Sequence, residues 1–250
     1  MRYFLDISYQ GTHYAGWQRQ NNAISVQQKL EEALSIYLRE EMACTGAGRT
    51  DAGVHARQLM VHFDTDKPQD RRLLAGLNGI LPKDIAINAL YQPTKTPLHA
   101  RFDASHRAYT YQITNRKNPE YQHFATWVKS KLDVEQMQTA ARLLLEYESF
   151  ASFCKAHSDN LTYLCDIRRA EFEITKDLLL FHIGANRFLR GMVRAVIGTL
   201  VWVGTGKLTV DDFRQIIEAQ DRKAAGPNAE AKGLFLTEVQ YPEGSLERIA

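Results

Sequence analysis

Gly48-Arg49-Thr50-Asp51-Ala52-Gly53-Val54-His55-Ala56 sets an arginine and a carboxylate two positions apart in a loop too rich in glycine to be helix. Gly48 and Gly53 permit backbone angles closed to other residues. On either side, Met42-Ala43-Cys44-Thr45 and Gln58-Leu59-Met60-Val61-His62-Phe63 read as strands. Rigid elements would then hold Asp51 at an exposed edge, where a reactive group can meet a substrate. Taken alone, the loop serves equally as an Asx-type turn in which Asp51 bonds its own backbone.

Upstream, Tyr3, Leu5, Ile7 and Tyr9 alternate with Phe4, Asp6 and Ser8, the period of a strand. Ser25 with Gln28 forms a capping-box signature ahead of Leu30, Ala33, Leu34, Tyr37 and Leu38 at helical spacing. Downstream, a helix is expected over about 70–80 and a strand over 84–90. From Ser105 the order recurs: a strand over 108–114 with Tyr109, Tyr111 and Ile113 on one face, then a helix capped by Asp133 with Val134, Met137, Ala140, Ala141 and Leu144 inward. Strands follow over 167–174 and 178–185. Leu189, Met192, Val193, Val196, Ile197 and Leu200 keep helical spacing through 188–203, Thr209 caps a further helix to about Ala219, and 234–241 is a final strand. Residues 115–131 and 222–232 read as surface loops. The pattern is α+β, largely antiparallel sheets with helices on one face, written twice without sequence repetition. The expected division is 1–104, which carries the loop, and 105–250.

Thirty-one basic against twenty-nine acidic side chains give a formal charge of +2, so bulk charge does not announce a nucleic-acid binder. Their distribution says more. Acids gather in helix-like stretches such as Glu31-Glu32, Glu40-Glu41 and Glu146-Tyr147-Glu148, while Arg49, Arg57, Arg101, Arg107, Arg187, Arg190 and Arg194 fall elsewhere. One basic surface on a near-neutral protein suits phosphate binding; an ordinary solvated surface is the plain alternative. The first residues alternate like a strand, unlike a signal peptide, and no apolar run is long enough to span a bilayer, so a cytoplasmic protein with no membrane partner is expected. Cys44, Cys154 and Cys165 are odd in number and lack pairwise metal spacing, and are read as reduced and structural. His55 and His62 find no third ligand at a recognisable spacing, so no metal is expected. Gly46-Ala47-Gly48-Arg49-Thr50 lacks the Gly-Lys-Ser ending of a P-loop, which sets ATP aside.

Residues 48–55, Gly-Arg-Thr-Asp-Ala-Gly-Val-His, resemble the active-site motif of the tRNA pseudouridine synthase A family. The likeness continues through Tyr9-Gln10-Gly11-Thr12-His13-Tyr14-Ala15-Gly16-Trp17-Gln18-Arg19-Gln20, Ser25-Val26-Gln27, His99-Ala100-Arg101-Phe102, Arg107-Ala108-Tyr109-Thr110-Tyr111, Asn186-Arg187-Phe188-Leu189, Met192-Val193-Arg194 and Gly233-Leu234-Phe235-Leu236. The resemblance implies two RRM-like halves whose sheets join around a central catalytic cleft, with helices on the outer face. It also implies an isomerase that converts uridine to pseudouridine in the anticodon stem-loop of tRNA, at positions 38, 39 or 40, as a homodimer gripping one tRNA across both subunits.

That reaction breaks the bond from ribose C1′ to N1, turns the uracil and rejoins it through C5. It involves no net redox change and needs no cofactor. Asp51 matches the family's nucleophile; as a carboxylate it adds to the substrate or removes a ribose proton, and both routes stay open. Arg194 matches the arginine that pairs with that aspartate and keeps it ionised. It stands at i, i+4 from Arg190, the alternative being two arginines snorkelling from an amphipathic helix. Tyr109 matches the tyrosine that packs on the target base, with its phenol placed to assist removal of the C5 proton. Leu234 matches an apolar residue beneath the base. Arg49 matches the arginine that fills the space of the displaced nucleotide or grips its phosphate. Arg101, Arg107 and Arg190 are expected to contact the RNA backbone.

The chain departs from the family at residues 158–166, which carry no basic side chain where members often do, and at Glu230, where a proline is common. Two rival classes remain. A non-catalytic RNA-binding module would normally carry a Lys/Arg-Gly-Phe-Gly-Phe run, which is missing, and the histidine spacings do not support a metal-dependent hydrolase.

Overall fold

A computed structural model describes residues 1–95, 97–155 and 161–250. The fold is mixed α/β, its strands mostly antiparallel, with five α-helices among the described residues. The chain divides into two compact units, Met1–His106 with Phe235–Ala250, and Arg107–Leu234. Residues 235–250, expected with the second half, thus pack with the first.

In the first unit, β1 (Arg2–Tyr9) runs antiparallel between β3 (His55–Asp64) and β4 (Ile85–Pro93). β2 (Cys44–Gly46) pairs antiparallel with the end of β3, while β9 (Leu234–Gln240) pairs parallel with its start, His55 opposite Phe235. A short β10 (Leu246–Arg248) borders β4. The alternation in β1 predicts one buried face, yet Phe4 is as buried as Leu5 and Ile7 because the Tyr241 ring meets it edge-on at 5.6 Å. α1 (Val26–Leu38) starts where Ser25 Oγ accepts the Gln28 N–H at 3.2 Å. The expected capping box is half made, since the Gln28 side chain donates to Glu32 instead. α1 packs on α2 (Arg72–Ile80) through Tyr37, whose ring occupies the space a side chain at position 76 would need.

In the second unit, β5 (His106–Thr114), β8 (Leu179–Ala185) and β7 (Ile167–Ile174) follow one another antiparallel. α3 (Val134–Leu143), capped by Asp133, packs against β7, α4 (Met192–Gly204) and α5 (Val210–Ala219). α4 is apolar almost all round, and it is the buried helix: Met192, Val193, Ala195, Val196, Ile197, Leu200 and Val203 are all inaccessible or nearly so. Thr209 and Asp212 complete a capping box at the start of α5.

The outcome differs from expectation in three further places. Residues 115–131 are no plain loop, for they carry a 3₁₀ turn at Pro119–Tyr121 and the two-residue β6 (Thr126–Trp127) beside β5. The three residues of β10 are too few for a periodicity to reveal. The helix expected from 188 begins only at Met192, because Gly191 at φ +72° breaks the turn before it. Among the described residues, no helix is long and apolar enough to cross a membrane.

Candidate active site

Asp51 lies in the bend between β2 and β3, and segment 9–17 cradles that bend. Trp17 N–H donates to the Thr50 carbonyl at 3.2 Å, and Gly53 N–H donates to the Tyr14 carbonyl at 3.3 Å. The Thr50 hydroxyl meets the Tyr9 phenol at 2.8 Å, and His55 Nδ1 accepts the Gly11 N–H at 3.1 Å. These contacts bracket Asp51 on both sides. The cradle is close enough that a Cβ at Gly16 would stand 2.3 Å from the Thr50 oxygen, and one at Gly11 2.0 Å from that of Val54. Both positions therefore exclude any side chain. Tyr14 is anchored in turn by its phenol, which donates to Asp84 at 2.6 Å.

Within the bend, the Val54 N–H closes a turn on the backbone carbonyl of Asp51 at 3.1 Å. Of the two glycines expected to relax the backbone, only Gly53, at φ +78°, uses the left-handed region. Exposure alternates from Arg49 to Asp51. Thr50 turns inward to Tyr9, Arg49 is exposed and Asp51 is half-buried, so the two charged groups flank an inward residue and remain accessible.

The two histidines are structural. His55 is buried with its ring stacked on Phe235 at 4.6 Å, and the Arg57 guanidinium lies 5.3 Å from the centre of that phenylalanine. His62 Nδ1 accepts the Ala100 N–H at 3.1 Å, and burial, with Arg2 and His99 nearby, lowers its pKa to about 4. Each ring thus uses Nδ1 as an acceptor, which requires that nitrogen unprotonated. Among the described residues, no three His, Cys, Asp or Glu side chains are placed to hold a metal ion. All three cysteines are buried thiols, and burial pushes that of Cys165 up to about 11.

Arg101, on the turn after β4, has its guanidinium 5.6 Å from the centre of the Phe102 ring. The remaining candidates lie in or at the edge of the second unit. Tyr109 on β5 is half-buried, its ring edge-on to Phe188 at 5.2 Å. Tyr111, two residues on, is core; its hydroxyl meets Thr126 Oγ1 at 2.6 Å and donates to the Glu230 carbonyl at 2.9 Å. Arg107 donates to the Asn186 carbonyl at 2.8 Å. Leu234, buried, opens β9.

Arg190 and Arg194 do not share a helix face. Arg190 is exposed in the turn before Gly191, whereas Arg194 sits in the first turn of α4. Arg194 Nε donates to the Ala229 carbonyl at 2.8 Å, and its own carbonyl accepts the Ala229 N–H at 2.9 Å. Segment 222–232, expected to be a surface loop, supplies that clasp. It lies on α4 so closely that a Cβ at Gly198 would stand 1.7 Å from the Pro227 oxygen, and Gly226 N–H donates to Thr199 Oγ1 at 2.9 Å. The sequence identifies this stretch as a loop but not its packing on α4, and it does not reveal the 9–17 cradle. The signal was present in the second case, since Gly11, Gly16 and Trp17 belong to a block whose residues had no assigned task. Of the stretch 158–166, residues 158–160 lie outside the described residues, while Leu161, Tyr163 and Leu164 are exposed.

A family model described as tRNA pseudouridine synthase matches residues 7–103 and 140–242. The chain is 46% identical over 244 residues to the tRNA pseudouridine synthase A of Parabacteroides distasonis, covering 97% of this chain and 96% of that one. It is 48% identical over 246 residues to that of Bacteroides thetaiotaomicron (97% and 91% covered), and 46% identical over 249 residues to that of Bacteroides fragilis (98% of each). Among solved structures, the archaeal box H/ACA sRNP Nop10–Cbf5 complex aligns over 89% of this chain and 59% of the matched chain, at 13% identity and a TM-score of 0.32. That likeness is too slight to bear on fold or function.

Proposed function

Because this chain belongs to the tRNA pseudouridine synthase family and is an isomerase acting on tRNA, we propose that Asp51 is its nucleophile and that it modifies the anticodon stem-loop at position 38, 39 or 40. The observation that carries the reading is the cradle around Asp51. A reactive carboxylate must meet the nucleoside in one geometry, and hydrogen bonds at Thr50, Gly53 and His55 fix the backbone on both sides of it.

The other roles follow from chemistry. Arg194, its guanidinium oriented by Ala229, takes the role of charge partner to the Asp51 carboxylate. Tyr109, steadied by Phe188, stacks on the uracil and its phenol takes part in moving the C5 proton. Leu234 supplies an apolar surface beneath the base. The exposed Arg49 occupies the position left by the target nucleotide or grips its phosphate, and Arg101, Arg107 and Arg190 contact the RNA backbone. The isomerisation is redox-neutral and transfers no group, so these side chains suffice without a cofactor. The same reading takes the family's RRM-like architecture for this chain and a cytoplasmic homodimer for its working form.

Pseudouridine mapping in tRNA from cells with and without this protein tests the reading. Loss confined to positions 38 to 40 is expected, and loss elsewhere in tRNA contradicts the substrate assignment.

A further inference from the structure

One turn of the first unit is built with unusual rigidity around a side chain that the fold does not use. In His99-Ala100-Arg101-Phe102, the His99 Nδ1 accepts the backbone N–H groups of Arg101 at 3.1 Å and Phe102 at 3.3 Å, and the His99 carbonyl accepts the Asp103 N–H at 3.1 Å. The His99 N–H is taken by the Asp103 carboxylate. Ala100 is fully buried; it donates to His62 at 3.1 Å and accepts from the Tyr241 phenol at 2.7 Å. Yet the Phe102 ring is 74% exposed. A phenylalanine left in water forgoes the stabilisation that burying its ring would bring, and here hydrogen bonds hold the backbone that presents it from His99 to Asp103.

The neighbours of the ring indicate its occupant. The His99 imidazole lies 4.4 Å from it at 30°, and the Arg101 guanidinium stands 5.6 Å from its centre. An aromatic face combined with a cation matches a nucleotide, whose base stacks while its phosphate carries the opposite charge. A purely apolar partner would leave the guanidinium desolvated beside it.

We propose that Phe102 is an RNA-stacking residue, which receives an unstacked base of the tRNA while Arg101 faces the adjoining phosphate. This rests on the tRNA reading above. Hydrogen bonds already hold the turn's backbone in one conformation, which lowers the ordering entropy that opposes the contact.

The test compares wild-type protein with Phe102→Ala, Phe102→Trp and Arg101→Ala, measuring affinity for unmodified tRNA at several salt concentrations together with solution mass by light scattering. Phe102→Ala should weaken binding roughly tenfold with an unchanged salt slope, since stacking neutralises no phosphate, and Phe102→Trp should bind as wild type. Arg101→Ala should make the slope shallower. Wild-type affinity in Phe102→Ala would overturn the proposal. So would a change of mass in that variant, which would make the ring a contact between copies of the chain. Wild-type protein that binds no tRNA would overturn the tRNA reading as well, so the two failures are distinguishable.

Discussion

The hydroxyls of Tyr9 and Thr50 meet at 2.8 Å in the interior of the first unit, tying the end of β1 to the residue before Asp51. Tyr9→Phe leaves the buried Thr50 hydroxyl without that partner, and the expected loss is about 1–2 kcal/mol of stability with a larger loss of turnover than of tRNA affinity. Adding Thr50→Val should recover much of the stability, because neither hydroxyl then remains. Urea unfolding and single-turnover assays on wild type, Tyr9→Phe, Thr50→Val and the double variant check this.

Gly16→Ala forces a Cβ to 2.3 Å from the Thr50 oxygen at a φ of +89°, so the bend must shift. Turnover should fall by about 10²-fold or more if a displacement of that size misplaces the carboxylate. Gly48→Ala, with nothing within 4 Å of the added atom, should stay near wild type. Equal effects of the two changes would contradict the cradle.

Most elements near the site were legible, because strand alternation and helical spacing report burial directly. β1, β3, α1 and α3 follow the pattern of Tyr3 to Tyr9, Gln58 to Phe63, Leu30 to Leu38 and Val134 to Leu144. Asp51, Arg49 and Tyr109 stand out by motif. Less could be read where long-range packing decides. The start of α4 was hidden because Leu189 keeps helical spacing although Gly191 ends the pattern, and Arg190 was therefore given a helix face it does not have. The 222–232 loop has no period of its own; its conformation comes from α4, whose Gly198 and Thr199 receive it. Tyr111 and Tyr109 share a face, and only the packing separates the core ring from the half-buried one.

Stability should depend on pH through His62. Its pKa is lowered in the folded protein to about 4, so the unfolded chain takes up a proton near pH 6.5 that the folded state refuses. The stabilisation is present above the unfolded value and is lost as pH falls from there toward the folded one. Unfolding free energy should drop by about 2 kcal/mol more between about pH 7.5 and about pH 5 in wild type than in His62→Asn, which keeps an acceptor for the Ala100 N–H. Equal slopes in chemical denaturation would contradict the assignment.

Tyr109→Phe should keep the aromatic face and slow product formation, whereas Tyr109→Ala should damage both affinity and rate. Single-turnover kinetics with saturating enzyme separates the two effects. Equal activity in all three proteins would place Tyr109 outside the reaction.

The central claim is that Asp51 performs chemistry. Asp51→Asn preserves side-chain size and removes charge and nucleophilicity, so the decisive measurement is single-turnover pseudouridine formation by this variant, alongside its tRNA affinity and its circular dichroism. The predicted result is a folded protein that binds tRNA within a few-fold of wild type and forms no pseudouridine. Isomerisation by that variant, once deamidation back to aspartate has been excluded by mass spectrometry, would contradict the account.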